Sequence, residues 1–287
     1  YSYIFHFDRS EAENLKRTGA RNIYHLPLAV NTGRVKQLTK SSAGQKVYKA
    51  DVSFLGNLYQ DEYNFFEQIK GLTAYQRGFI DAVLRAQLQF QGCDFLEEAI
   101  PKLFMNELLE LVKFNLDSEL MMSDEKIMLD MLRKKVSVIE RKEILELLSK
   151  HFQTVLYSQS DSSMLPLVEN RGYLDYSTQM PVMFNQSSIN INITLRCILS
   201  GISLRALDIM GAGGFLLSNY QPELAEFFED GKEMVMFYDR KDLLEKTRYY
   251  LLHDDERREI AANGRKKVEE LFDYSLAWKR IFGEVFK

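Results

Sequence analysis

A short loop ahead of a helical pattern has the residue types and spacing to hold an anion. The loop is Ser200-Gly201-Ile202-Ser203, and apolar helical spacing begins at Leu204. The first N–H groups of a helix have no intrahelical acceptor and lie at its positive end, so a diphosphate would match them well. Ser203 would be equally suited to cap the helix, and Gly201 to make a plain turn. The loop predicts a phosphate site, with ordinary capping left as an alternative.

Asp208 follows one turn into the same helix. A carboxylate at this place can accept two hydrogen bonds from a ribose diol, as an acidic residue does in dinucleotide-binding folds. The alternative is a surface ion pair with Arg196 or Arg205. Either arginine could instead offset the charge of a diphosphate, because a guanidinium forks onto phosphate oxygens.

Two glycine-containing turns could also let a ligand approach the backbone. They are Gly56-Asn57 and residues 211–214, although a plain turn explains either one equally well. No Gly-Lys-Ser/Thr follows Gly56, so the first is not a P-loop. His6 and His25 are expected to be packing or surface residues, since no histidine pair has metal-ligand spacing and no nucleophile stands beside a base.

The elements that must position these residues alternate between strand and helix over residues 152–218. This alternation is typical of right-handed crossover units and predicts an α/β fold with a Rossmann-like, doubly wound parallel sheet. Ligands in such sheets bind outside the carboxyl ends of the strands, which selects loops 56–59, 194–204 and 211–214. The predicted strands are 51–56, 152–157, 169–174, 188–193 and 215–218, with helices at 178–185 and 204–210.

The first residues predict one βαβ unit, with strands at 3–7 and 22–28 and a helix over 10–18 capped by Ser10. Such a unit cannot make a buried parallel sheet alone, because parallel strands need neighbours and helices on both faces. Residues 31–49 are polar and are predicted to form a linker.

Long amphipathic helices are predicted over residues 61–150. A packed helical subdomain without chemistry is the favoured interpretation, because Met and Leu stripes at this period usually form a core. An acceptor- or partner-binding face is the alternative. Further helices follow from residue 241, with a bend or a break expected at Asn263-Gly264.

The composition limits the function classes. Of the 287 residues, 46% are hydrophobic and 27% are charged, which indicates a globular chain with one large or two ordinary domains. The net charge of −4 argues against a general nucleic-acid binder. Cys93 and Cys197 lie far apart, which favours a reducing compartment. No apolar run reaches the ~18 residues of a membrane span, and the first residues lack a signal-peptide pattern, so we expect a cytoplasmic protein.

Three segments together resemble the carboxyl-terminal domain of CgeB-like, spore-maturation-type glycosyltransferases. They are RGYLDYSTQMPVMF at 171–184, INITLR at 191–196 and SGISLRALDIMGAGGFLLSNYQPELAEFF at 200–228. YIFHFDRS and YHLPLAVN near the start, and then DVSFLGNLY, resemble the end of that family's amino-terminal domain and its crossing into the second. The resemblance leaves about 71–150 unmatched.

This resemblance implies a GT-B fold, in which two Rossmann-like domains face each other across a cleft. The second domain holds the nucleotide-sugar donor and the first mainly holds the acceptor. Residues 1–45 would then be the end of the amino-terminal domain plus a linker. Residues 46–287 would be the donor-binding domain, with a helical insertion at about 71–150, so we expect a fragment that lacks most of its acceptor half.

The resemblance also implies site residues. Related retaining enzymes carry two glutamates eight positions apart, and the matching residues here are Ser200 and Asp208. Asp208 can bind a diol, whereas Ser200 supplies no carboxylate, so neither retention nor inversion is assigned. The backbone of residues 201–204 would hold the diphosphate, Gly56-Asn57 would face it, and Tyr173 would lie by the base. The expected donor-binding residues are Gly56, Asn57, Tyr173, Arg196, Ser200, Gly201, Ile202, Ser203, Leu204 and Asp208, and no catalytic residue is assigned.

The function implied is transfer of a sugar, of the hexosyl type, from a nucleotide-sugar to an unassigned acceptor in a bacterial cell. No Asp-x-Asp motif is present, so no metal or other cofactor is expected. A degenerate relative that acts as a binding or scaffold protein, with the helical insertion recruiting a partner, is the main alternative. An epimerase of the same fold is a third.

Overall fold

Within the residues that the structure describes, the strands form a small parallel sheet and a large one. The structure is a computed structural model, and the described residues are 2–44, 46–59, 65–112 and 123–286. The small sheet belongs to the predicted βαβ unit. This unit comprises β1 (Ile4–His6), α1 (Arg9–Arg17) and β2 (Ile23–His25).

The first helix begins at a different residue from the one that the sequence predicted. The N-cap of α1 is Asp8, whose carboxylate accepts the Glu11 N–H at 3.3 Å. Ser10, the predicted cap, lies inside the first turn of the helix. Aspartate and serine cap helices about equally well, so the contacts that Asp8 makes elsewhere in the fold decide between them.

The predicted linker at 31–49 contains a helix, α2 (Thr32–Ser41). Asn31 caps it by accepting the Arg34 N–H at 3.0 Å. Val35 is only 3% exposed and belongs to a core cluster shared with later helices. The linker prediction was wrong because the polar composition hides a narrow apolar face that packs on the rest of the fold.

The large sheet has six parallel strands in the order β5-β4-β3-β6-β7-β8. Counted from the first strand of this sheet, the order is third, second, first, fourth, fifth and sixth, which is the Rossmann arrangement. The predicted doubly wound parallel sheet is confirmed. The strands are β3 (Val52–Leu55), β4 (Thr154–Tyr157), β5 (Glu169–Asn170), β6 (Ile189–Asn192), β7 (Leu216–Asn219) and β8 (Val235–Phe237).

Alternate residues of these strands contribute to a core on each face of the sheet. In β4, Val155 and Tyr157 belong to one buried cluster and Leu156 to the other. The same alternation in β6 places Ile189 and Ile191 together. Side chains of a strand point to opposite faces in turn, so helices must cover both faces of the sheet.

Helices between β3 and β4 form a third buried cluster of their own, as the pattern of residues 61–150 predicted. Two consecutive amphipathic segments of this region form one continuous long helix in the structure. The helices are a 3-10 turn at Phe65–Gln68, α3 (Ala74–Gln87), α4 (Leu96–Ala99), α5 (Lys102–Leu111) and α6 (Asp124–Ser149). Part of the predicted helix after Met105 lies outside the described residues.

The remaining helices cover the sheet and follow its last strand. They are α7 (Met180–Gln186), α8 (Leu204–Gly211), α9 (Pro222–Phe227), α10 (Arg240–Leu252), α11 (Asp254–Leu271) and α12 (Tyr274–Val285). In the described part of the chain, no helix combines the length and the apolar character needed to cross a bilayer.

The break predicted at Asn263-Gly264 does not occur, because α11 continues through both residues. A Cβ on Gly264 would lie 2.2 Å from the backbone oxygen of Glu233. The glycine therefore allows a close approach between α11 and the segment before β8. This packing requirement overrides the weak helix propensity of glycine.

Candidate functional site

The strand order of the large sheet reverses between β3 and β6, and the loops that follow these two strands leave the same end of the sheet, which is the position of the crevice in doubly wound folds. Gly56 and Asn57 follow β3, and Ile193 and Thr194 follow β6. The Asn57 side chain accepts a hydrogen bond from Ser160 Oγ at 3.0 Å, which holds the first loop in place. Ligands of doubly wound sheets bind at this point of the fold.

Arg141 of α6 extends its guanidinium to these loops. Its Nη1 donates to the backbone oxygen of Asn57 at 2.5 Å, and its Nη2 donates to that of Ile193 at 2.9 Å. The rings of Phe54 and Tyr59 lie 5.4 and 5.2 Å from the guanidinium carbon. The residue is only 7% exposed, and Nε has no acceptor among the described residues.

The charge of Arg141 is buried among neutral hydrogen-bond partners. No carboxylate in the described part of the chain forms an ion pair with it. Burial lowers its pKa below the ordinary value, and the charge of Arg205 adds to this shift, whereas Tyr59 and the more distant charge of Glu140 oppose it. A buried cation is costly unless an anion pairs with it, so an anionic ligand would stabilise this arrangement.

Asp208, Arg205 and Tyr176 form a second group beside the crevice. Arg205 Nη1 lies 3.7 Å from Asp208 Oδ2, and the Tyr176 hydroxyl donates to Asp208 Oδ1 at 3.3 Å. Burial raises the pKa of Asp208 to about 6, although the positive charge of Arg205 opposes this shift. Burial, together with the charge of Asp208, raises the pKa of Tyr176 to about 12. The ion pair that the sequence left as an alternative for Asp208 therefore forms with Arg205, although Asp208 is buried and Arg205 is partly exposed.

The loop that leads into α8 uses its side chains for local structure. Ser203 accepts the Ala206 N–H at 3.4 Å and donates to Asn192 Oδ1 at 3.2 Å, so it caps the helix. Ile202 is 1% exposed and belongs to the core, while Leu204 is the first residue of the helix. The first N–H groups of α8 still point out of the start of the helix.

Gly201 is required by a contact within the protein. A Cβ at this position would lie 2.9 Å from the Cα of Asp8 and 3.0 Å from the backbone oxygen of Phe7. The sequence left a plain turn and a close ligand approach as alternatives. The close approach that the structure contains is to the segment between β1 and α1.

Ser200 is buried between two carboxylates. Its Oγ lies 2.8 Å from Asp8 Oδ1 and 2.8 Å from Glu223 Oε1. Asp8 also accepts the N–H groups of Leu199 and Ser200, at 2.6 and 3.1 Å. His25 Nε2 lies 2.7 Å from Glu223 Oε2, which brings β2 into the same network. The side chain of Ser200 therefore joins the βαβ unit to the loop.

The guanidinium of Arg196 is engaged in a buried ion pair. Its Nη2 lies 2.8 Å from Glu140 Oε1, and its Nη1 donates to the backbone oxygen of Phe90 at 2.7 Å. The two charged side chains are 7% and 4% exposed. The sequence predicted either a phosphate contact or a surface ion pair, and the structure places the guanidinium in a buried pair.

The other predicted positions differ in their surroundings. A Cβ on Gly56 would lie 3.1 Å from the ring of Phe54, so the loop after β3 is tightly packed. Tyr173 is 63% exposed on the loop before α7, three residues ahead of Tyr176. In the turn over residues 211–214, a Cβ on Gly214 would lie 2.5 Å from a backbone oxygen of α7, so helix packing explains this glycine.

Sequence reasoning missed Arg141 as a candidate site residue. A signal was present in α6, where ionisable or polar residues occupy the buried stripe: Arg133, Ser137, Glu140 and Arg141 are all 7% exposed or less. Charged residues on a core-facing stripe are rarely buried without a specific role. Across the described ranges, no group of three or more His, Cys, Asp or Glu side chains has a metal-binding arrangement.

Solved structures with the same architecture include sucrose-phosphate synthase from Thermosynechococcus elongatus. The TM-score is 0.51 at 10% identity, over 98% of this chain and 58% of that one. Anabaena HepE in complex with UDP gives a TM-score of 0.51 at 10% identity, over 99% and 63% of the two chains. Its complex with UDP-glucose gives 0.51 at 8%, over the same shares. The chain therefore spans about three fifths of the length of these structures.

These neighbours are GT-B glycosyltransferases, which confirms the predicted fold class. No curated protein sequence matches the chain significantly. Residues 137–283, just over half of the chain, match the family described as Glycosyl transferase-like. This match begins within α6, where it includes Arg141, and continues from β4 into α12. The chain therefore belongs to the glycosyl transferase-like family.

Proposed function

We propose that the protein transfers a sugar from a nucleotide-sugar donor, and that the crevice between β3 and β6 holds the donor diphosphate. The observation that carries this proposal is the buried guanidinium of Arg141, which has only neutral bonded partners and an unused Nε. A diphosphate would supply the missing negative charge and accept further hydrogen bonds. The HepE complexes with UDP and UDP-glucose support this class of donor.

The neighbouring side chains suit the rest of a nucleotide sugar. Arg205 adds a second positive charge beside Arg141. Asp208 is the carboxylate for a ribose diol, since its pKa of about 6 leaves it mostly ionised at neutral pH. Tyr173, on the exposed loop before α7, is the proposed neighbour of the base.

The chemistry proposed is stabilisation of the leaving diphosphate as the bond to the sugar breaks. Fixed guanidinium groups and the first N–H groups of α8 act on charge that develops in the transition state, and they need no reorganisation to do so. No metal ion or other cofactor is part of this mechanism. The donor contacts proposed from the sequence at Gly56, Asn57 and residues 201–204 are backbone contacts in this scheme.

The finer assignments are also proposals. The CgeB-like subtype, hexosyl transfer and a bacterial source rest on the resemblance described above, whereas the proposed cytoplasmic location rests on the apolar pattern of the sequence. The division into residues 1–45, from the acceptor-side domain, and residues 46–287, the donor-binding domain, also rests on the resemblance. The network around Ser200 is compatible with this division, because it joins β1 and β2 to the loop before α8.

A binding protein without turnover is the second candidate function. The observation in its favour is Ser200, which replaces a carboxylate and whose Oγ is fully engaged by Asp8 and Glu223. A protein of this kind would retain donor binding or partner binding but release no sugar.

An assay of donor cleavage separates the two functions. The protein is incubated with UDP-glucose, GDP-mannose or UDP-N-acetylglucosamine, with and without an extract that contains acceptors, and release of the nucleoside diphosphate is measured. The proposal predicts release from one donor, and loss of this release in Asp208→Ala. Donor binding without release in any mixture would favour the binding protein, and neither binding nor release would contradict both.

A further inference from the structure

A cavity lies at the amino-terminal ends of the strands of the large sheet, whereas the crevice lies at their carboxyl-terminal ends. It is lined by residues that directly precede strands, namely Asp51 before β3, Ser188 before β6 and Phe215 before β7. The turn between α10 and α11 closes its other side. The cavity volume is about 660 Å³, which is in the range of small-molecule sites. With strands of about four residues, the two sites are separated by roughly 13 Å along the sheet.

Positive charge exceeds negative charge in the lining of this cavity. Lys46, Lys49, Arg257 and Arg258 line it, against Asp51 and Asp254. This local excess contrasts with the net charge of −4 of the chain.

The carboxylate of Asp254 forms ion pairs with two of these cations. Arg258 Nη2 lies 2.6 Å from Asp254 Oδ2, and Arg257 Nη2 contacts Asp254 Oδ1. Neither Lys46 nor Lys49 forms an ion pair with the described residues. The ammonium groups of Lys46 and Lys49 are therefore available to pair with an anionic ligand.

Two residues of the cavity lining carry buried hydrogen-bonding groups without partners among the described residues. Ser187 is 6% exposed, and its Oγ has no partner in the described part of the chain. The same holds for Gln186 Nε2, and its amide orientation is fixed because Oε1 accepts the Tyr48 N–H at 3.0 Å. Most buried polar atoms are hydrogen-bonded, so two such groups on one cavity wall are unusual.

A third unpartnered donor lies close by. Arg265 Nη2 has no acceptor among the described residues. Arg265 Nη1 would lie 3.4 Å from a Cβ on Gly213, which lines the cavity. Arg265 lies behind this wall and does not line the cavity, so the unused groups of the lining are one amide N–H donor and one hydroxyl, which a ligand with acceptor oxygens would match.

We propose that this cavity binds the phosphate group of a phosphate ester. Lys49 and Arg258 would pair with its charge, and rotation of the buried Ser187 hydroxyl toward the cavity would let it donate to a phosphate oxygen, since phosphate forms strong charge-assisted hydrogen bonds. The volume accommodates an organic group in addition to the phosphate. The ligand is thus a small phosphorylated molecule, bound apart from the donor crevice.

The test is calorimetric titration of the whole protein with glucose 6-phosphate, inorganic phosphate and glucose. We expect saturable binding of glucose 6-phosphate and none of glucose. Saturable binding of both phosphate compounds with equal affinity would support the site and assign free phosphate as its ligand. No saturable binding of either phosphate compound would overturn the proposal.

Variants assign the binding to this cavity. Arg258→Gln should weaken it by about tenfold, the loss of one charge-assisted hydrogen bond. Lys266→Gln, on an exposed part of α11 outside the cavity lining, is the matched control and should have no effect. Arg205→Lys alters the crevice at the carboxyl-terminal ends of the strands. Loss of binding in this variant, with full binding in Arg258→Gln, would overturn the proposal.

Ser187→Ala separates a binding role from a structural one. Removal of an unpartnered buried hydroxyl should leave the Tm unchanged or higher, because no hydrogen bond within the protein is lost. If Ser187 binds the ligand, affinity for glucose 6-phosphate falls although the Tm does not. Unchanged affinity in both Ser187→Ala and Arg258→Gln would contradict the proposal.

Discussion

Arg141 Nη2 donates a hydrogen bond to the backbone oxygen of Ile193 at 2.9 Å, and this contact fixes a positive charge where the strand order reverses. The contact joins the long helix α6 to the loop after β6. A segment whose pattern predicts only helical packing therefore contributes a side chain to the crevice. The proposed donor site is built around this contact.

The stability of the protein should depend on pH through Asp208. Burial raises its pKa to about 6, so the native state binds a proton more tightly than the unfolded state does. The stability that Asp208 contributes to the native state is complete below its pKa in the unfolded state, near 4, and is lost as the pH rises to about 6. At about 1.4 kcal/mol for each pKa unit, we expect a change of about 3 kcal/mol.

Urea unfolding at pH 3.5, 4.5, 5.5, 6.5 and 7.5 measures this change. In Asp208→Asn the decline in unfolding free energy over this range should be smaller, because the titrating group is gone. An equal decline in both proteins would show that Asp208 titrates normally.

Donor affinity should follow the same ionisation in the opposite sense. The proposed contact to the ribose diol needs the carboxylate form of Asp208, so affinity should fall as the pH drops below about 6. Titration with UDP across this range measures the effect, and deoxy-UDP, which lacks the diol, provides the control. A pH profile that is identical for the two ligands would remove Asp208 from the ribose contact.

Gly201→Ala should destabilise the protein. The new Cβ would lie 2.9 Å from the Cα of Asp8, a backbone atom that cannot move freely. Overpacking of this kind costs about 1–3 kcal/mol. Gly283→Ala is a matched control in α12, because no atom lies within 4 Å of its Cβ position. In a helix this control should be neutral or more stable by up to about 1 kcal/mol in urea unfolding.

Asp8 and Ser200 should be strongly coupled. Burial would raise the pKa of Asp8, but hydrogen bonds from the side chain and backbone of Ser200 outweigh it and hold the pKa below its usual value. Asp8→Ala leaves several donors unpaired, so we expect a loss of about 1–3 kcal/mol. A double-mutant cycle with Ser200→Ala, by urea unfolding, should give a coupling energy of at least about 1 kcal/mol. Additive effects would mean that the 2.8 Å contact contributes little.

The same aspartate predicts sensitivity to acid. A carboxyl group whose pKa is lowered in the native state stabilises the protein above its unfolded pKa, near 4, and this contribution is lost as the pH falls further. The urea concentration at the unfolding midpoint of the wild-type protein should therefore decrease as the pH is lowered below 4. In Asp8→Asn this additional acid sensitivity should be reduced.

Local patterns predicted the sheet, whereas distant contacts determined most of the site. Alternation of strand and helix is visible over short windows, so the doubly wound sheet could be predicted from the sequence. The partners of Arg141 are 84 and 52 residues away, and no local pattern connects them. Ser200 and Asp8 are 192 residues apart, so the burial of Ser200 could not be predicted either.

The errors in secondary structure have the same origin. The helix α2 is stabilised by packing of Val35 in a core that other helices complete, although its composition is that of a linker. Gly264 satisfies a local rule for a helix break, but its missing side chain is needed for the contact with Glu233. In both places a tertiary contact outweighed local propensity.

Calorimetric titration of UDP into the wild-type protein, Arg141→Lys and Arg248→Lys tests the proposed donor site most directly. Lysine keeps the charge but loses the fork that bonds both loops, so we expect at least about a tenfold loss of affinity in Arg141→Lys. Arg248 is exposed on α10, and Arg248→Lys should bind as the unchanged protein does. Equal UDP affinity in all three, with equal Tm values, would contradict a donor site built around Arg141.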